Sequence, residues 1–85
     1  MEKLVRFSRH ALQQMAEHGA TQEEVLEAIR SGEQVPDKRN NSGYRKNFQY
    51  KRLWGGHYYP IKQVLAIIAE EAEALVIVIV YTFYF

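Results

Sequence analysis

Three histidines, His10, His18 and His57, are the side chains here that exchange protons near neutral pH without a large environmental shift. His10 and His18 lack the i, i+4 spacing of paired metal ligands on a helix, and no third ligand accompanies them. No metal or other cofactor is therefore expected. Cysteine is absent, which excludes a disulfide framework, a thiolate nucleophile and a cysteine-based zinc site. Gly55-Gly56 is too short to cradle a phosphate, and nothing supports a Ser/His/Asp triad. What remains is metal-free phosphodiester cleavage, in which the 2′-hydroxyl of RNA attacks its own phosphate. That reaction needs a base, cations beside the phosphorane oxygens, and a proton for the leaving oxygen. Arg45, Lys46, Lys51 and Arg52 are the candidates for the charge, and His57 or His10 for the protons. Against this stands the structural reading of each lone histidine. His10 falls in the first turn of a helix, where the dipole disfavours an imidazolium and a neutral, hydrogen-bonded ring fits better.

These residues sit on a chain that reads as two short helices followed by a sheet. Lys3 to Phe7 has the alternation of a short strand. Ser8 is a good N-cap for a helix from Arg9, whose apolar positions Leu12, Met15 and Ala16 form one stripe. Gly19 ends that helix, and Thr21-Gln22-Glu23-Glu24 is a capping box opening a second helix that Gly32 closes. Beyond Pro36 the period changes. Tyr44, Phe48 and Tyr50 recur at even spacing between polar residues, Gly55-Gly56 interrupts, and Val64 to Ala69 reads as a strand apolar on both faces. Glu70 to Glu73 is a charged turn, and Leu75 to Phe83 is a strand expected to be central, with Lys3–Phe7 a candidate second neighbour. The expected architecture is α+β, a single domain over residues 1–85, with a helical hairpin packed on an antiparallel sheet of three or four strands.

The composition, 25% charged and 47% hydrophobic, is that of an ordinary globular domain. The opening residues contain no hydrophobic signal core. The longest apolar run, Ala74 to Phe85, is shorter than the roughly 20 residues of a membrane helix. Without an export signal or cysteines, the cytoplasm is the expected location.

A net charge of +1 conceals a strong segregation. Residues 1–37 sum to −3, residues 38–62 to +7, and residues 63–85 to −3. The middle segment holds Lys38, Arg39, Arg45, Lys46, Lys51, Arg52 and Lys62 without one acidic residue, and it also carries Trp54 and five other aromatic residues. Cations interleaved with aromatics are the footprint of a polyanion binder, and unpaired RNA bases stack on exposed rings. Lys38, Arg39, Arg45, Lys51, Arg52 and Trp54 are the candidate nucleic-acid contacts. Two competing readings stand beside this one. Strand aromatics such as Tyr44, Phe48 and Tyr50 are more often core than base platforms, and a basic edge strand also guards against aggregation.

The segment Phe7-Ser8-Arg9-His10-Ala11, with its Gly19 turn and Thr21-capped, Glu-rich second helix, resembles the opening of a family of small uncharacterised bacterial domains. The fold of that family resembles the RelE-like toxins of toxin–antitoxin systems, compact ribonucleases with a helical hairpin on an antiparallel sheet. The likeness covers the first 30 residues; the later strands agree in order and in the closing Val78-Ile79-Val80-Tyr81-Thr82. Gln14 and His18 stand where that family often has arginine. The resemblance implies an acidic antitoxin-like partner, and it makes Arg45, Lys46, Arg52, Tyr81 and Tyr84 positional counterparts of the basic sheet residues and C-terminal aromatic of such toxins.

Three functions fit these observations. One is a RelE-like, metal-independent endoribonuclease working through His10, Arg45, Lys46, His57 and Tyr81. Another is a non-catalytic domain that binds RNA or an acidic protein. The last is a homodimer module, in which Trp54, Tyr58, Tyr59 and the Phe83-Tyr84-Phe85 end form an apolar patch.

Overall fold

The computed structural model describes residues 3–37, 39 and 41–85. In chain order the elements are β1 (Leu4–Phe7), α1 (Arg9–His18), α2 (Gln22–Ser31), β2 (Glu33–Pro36), β3 (Ser42–Trp54), β4 (His57–Glu70) and β5 (Ala74–Tyr84). The α+β class holds, but the expected sheet of three or four antiparallel strands does not. The sheet has five strands in the order β1-β5-β4-β3-β2 and is mixed, because β1 lies parallel to β5. Two features account for the difference. β2 follows Gly32 directly and ends at Pro36, so it reads as a connector; as an edge strand bonded only to β3 it tolerates the proline. β1 reaches β5 through the helical hairpin and the rest of the sheet, so no local turn dictates its direction.

Local chemistry explains the helices. The Ser8 hydroxyl accepts the Ala11 N–H at 3.0 Å, capping α1. Thr21 and Glu24 exchange side-chain-to-backbone bonds of 3.0 and 3.1 Å, completing the capping box of α2. Between the helices Gly19 takes φ 84°, a left-handed conformation that costs other residues steric strain. A Cβ there would also come within 2.8 Å of the Tyr84 hydroxyl and 2.9 Å of the Trp54 ring.

The two helices lie on one face of the sheet. Ala11, Met15 and Val25 pack onto Val64, Ala66, Ile68, Ile77 and Val80, and Tyr44, Phe48 and Phe7 close the margins. Each fully buried valine or isoleucine here contributes roughly 1.5–3 kcal/mol. The opposite face carries no helix. There Arg45, Leu65 and Tyr81 form one cross-strand row, and Asn47, Gln63 and Phe83 the next. None of the described helices is long and apolar enough to cross a membrane.

β3 and β4 extend beyond β5 as a long hairpin, which stretches the molecule to 42 × 25 × 24 Å. Its turn, Gly55-Gly56, has φ of 60° and 86°, as two-residue hairpin turns require. A bulge between Gln49 and Arg52 leaves Lys51 at φ 52°, the one non-glycine residue with positive φ among those described.

Candidate functional site

The basic segment divides in space into two groups. The first belongs to the base of the β3–β4 hairpin, where every cation meets a carboxylate. Arg45 lies 2.5 Å from Glu33 of the neighbouring strand β2. Lys46 points to the helix side and lies 2.8 Å from Glu27, with the Ser31 hydroxyl at 2.7 Å. Lys62 is 4% exposed, lies 2.7 Å from Glu24, and donates to the carbonyl of Gly19. Because Glu24 also accepts the Thr21 N–H, one carboxylate couples the α2 cap, the interhelical turn and the sheet. Glu27 is pulled down to about 2 by hydrogen bonds from Lys46 first, then Ser31 and Arg30. Arg39, beyond this base, is 3.5 Å from Asp37, and Lys38 lies outside the described residues.

The second group is the hairpin tip. Lys51 and Arg52 are exposed and have no ion-pair partner among the described residues. Arg52 lies over the Tyr50 ring, 4.9 Å from its centroid. Leu53 and Tyr58 face each other across the tip at 65% and 59% exposure, and His57 is exposed beside them. Trp54 turns the other way. It stacks on Tyr84 with ring centroids 4.8 Å apart and closes against Gly19, which anchors the tip to the helical hairpin. The Tyr84 hydroxyl donates to the His18 carbonyl at 2.6 Å. Burial, with Tyr50 and the Glu24 carboxylate adding to it, pushes Tyr84 up to about 12. It therefore holds its proton across the physiological range.

The five residues proposed for cleavage are spread over separate places. Arg45 and Tyr81 share the helix-free face but sit two strand spacings apart, about 10 Å, with Leu65 between them. Lys46 is turned to the helix side, and His57 is at the tip. His10 is exposed near the start of α1, about 15 Å of helix away from Gly19, where the tip is anchored. Among the described residues no three histidine, aspartate or glutamate side chains gather in a metal-binding cluster.

The structure also gives three residues a setting that composition does not show. Lys62 occupies the same strand phase as the core residues Val64, Ala66 and Ile68, and that phase is the signal that would have marked it as buried. Tyr81 and Phe83, at 41% and 46% exposure, present rings to solvent on the helix-free face with centroids 6.3 Å apart.

Residues 7–82 match the family described as Domain of unknown function (DUF4258). The chain belongs to this family. Neither a curated protein nor a solved structure matches it. Membership of this family brings no assigned activity.

Proposed function

We propose that this domain binds single-stranded RNA through the cationic tip of the β3–β4 hairpin. One observation carries the reading: among the described residues Lys51 and Arg52 meet no carboxylate, on a tip that also exposes Leu53, His57 and Tyr58, whereas the cations at the hairpin base are neutralised. Two unpaired cations are available to phosphates, and the neighbouring ring and imidazole to unstacked bases. The bulge at Lys51 adds support, since a side chain held at positive φ is a strained arrangement of the kind that clusters at binding sites. Cleavage is the weaker reading, because His57, His10, Arg45 and Tyr81 do not face a common point.

The test is fluorescence anisotropy with a labelled single-stranded RNA of mixed sequence, in EDTA, across a series of salt concentrations. Binding should weaken with salt, and Lys51→Ala/Arg52→Ala should flatten the log–log slope by about 1.4, at roughly 0.7 for each phosphate no longer neutralised. An unchanged slope and affinity in the double variant would remove the tip from the site. Recovered RNA should be intact; shortened RNA would reinstate the ribonuclease.

A further inference from the structure

Strand β5 has an outer edge that the chain fills over only part of its length. β1 pairs with it from Ala74 to Ile77. Ser8 then donates its N–H to the Ile77 carbonyl at 2.9 Å and its hydroxyl to the Val78 carbonyl at 3.2 Å, and the chain leaves as α1. From Val78 to Tyr84 no described strand lies on that side.

The direction of the hydrogen-bonding groups follows from the ladder. Ile61 and Phe85 exchange both backbone bonds, at 2.9 and 3.0 Å. Bonded and non-bonded pairs alternate along an antiparallel ladder, and the register is continuous from Lys62↔Tyr84 to Ile67↔Ile79. Phe83 and Tyr81 therefore bond to β4, while Val80, Thr82 and Tyr84 turn their N–H and C=O groups outward. Gln14 already takes the part of a neighbouring strand, its Oε1 accepting the Val80 N–H at 2.9 Å. The amides of Thr82 and Tyr84 have no such partner among the described residues. A groove of about 300 Å³ runs along this edge, lined by Gln14, His18 and Val80 to Phe83. The Thr82 hydroxyl oxygen is buried there without a hydrogen-bond partner among the described residues.

The geometry points to this lane as a docking site for an extended segment of a partner polypeptide, added as a strand where β1 stops. Outward backbone groups recognise another backbone, and alternate side chains of the guest supply the specificity. One set lies over the helix-free face beside Tyr81 and Phe83 and is apolar; the other faces His18 and Gln14 and is polar. A second copy of the chain fits less well. Pairing β5 with itself about Thr82 would press the polar Gln14–His18 flank of α1 against its own equivalent. The lane is the outer edge of β5, whereas the proposed RNA contacts lie on the β3–β4 tip, so neither proposal depends on the other.

The experiment uses a capped synthetic peptide alternating valine with aspartate and threonine, and a control of the same composition with a central proline. Amide hydrogen exchange of the full chain is followed by NMR. With the alternating peptide, exchange at Thr82 and Tyr84 should slow by about tenfold or more, while Phe83, already bonded to β4, should change little. The proline-interrupted peptide should have no effect. Thr82→Pro removes an outward N–H without touching the β4 ladder and should weaken binding about tenfold, whereas Thr82→Val keeps the N–H and should bind as well as the parent. Unchanged exchange at both amides in saturating peptide overturns the proposal, whatever the variants do. Protection at those amides that rises with protein concentration alone, with a doubled mass, overturns it in favour of self-pairing.

Discussion

The base and the tip of the β3–β4 hairpin are built from the same acid-free stretch of sequence, yet they meet opposite fates. At the base, Arg45, Lys46 and Lys62 are met by Glu33, Glu27 and Glu24, which arrive on β2 and α2. At the tip, Lys51 and Arg52 meet no carboxylate among the described residues. The two acidic and basic blocks of the sequence are therefore largely a folding device, since the −3 of residues 1–37 docks onto much of the +7 that follows. Only the part of the positive charge that escapes this docking is available to a partner. A charge run in one dimension overstates a binding surface when the oppositely charged element packs on top of it.

The largest test of this contrast is to break a base pair. Glu24→Ala leaves Lys62 buried and uncompensated, removes half of the α2 capping box, and should cost about 3 kcal/mol in urea denaturation. Lys62→Met, which removes the charge and keeps the volume, should cost much less. If the two cost the same, Lys62–Glu24 is not acting as a buried pair. At the tip the expectation is reversed: Lys51→Ala/Arg52→Ala should lower RNA affinity about tenfold or more at low salt while leaving the denaturation midpoint nearly unchanged.

Smaller effects sharpen the same comparison. Lys51→Gly relieves a positive φ and should stabilise the fold by about 1 kcal/mol while weakening RNA binding, so that stability and function move in opposite directions. Thr82→Val removes a buried hydroxyl that lacks a partner and should raise stability by about 1 kcal/mol, read from the urea midpoint. The smallest effect concerns pH. Glu27 is held at about 2, below its ordinary range near 4.5, by Lys46, Ser31 and Arg30. Its contribution is complete above about pH 4.5 and is lost as the pH falls toward 2. The gap in thermal midpoint between the parent and Glu27→Gln should therefore close over that window. A gap that persists below pH 2 would assign the effect to packing.

The helices and much of β3 and β5 were legible because their causes are local, whereas β4 begins at His57, seven residues before the expected Val64. Ser8, Gly19, Thr21 with Glu24, and Gly32 each act within a turn of their own position. The alternation of β3 and the apolar run of β5 announce strands wherever those segments end up. What could not be read was which groups meet across long sequence separations. The four residues of β2 carry too short a pattern to stand out, and β1 has no turn to fix its direction. The candidate site was legible only as a pool of residue types. The chain named Arg45, Lys46, Lys51, Arg52 and His57 together, although the first two are neutralised and the others are exposed at the tip.

The sequence by itself determined the caps, the glycine turns, the α+β class, and the absence of any thiol chemistry. Tertiary structure alone decided that Lys62 is buried, that Trp54 anchors the tip, and that among the described residues Lys51 and Arg52 meet no carboxylate and no strand covers the outer edge of β5 beyond Val78. The division has one physical reason. Capping and turn energies depend on a few neighbouring residues, whereas ion pairing, burial and edge exposure depend on which distant segments the sheet brings within a few ångströms.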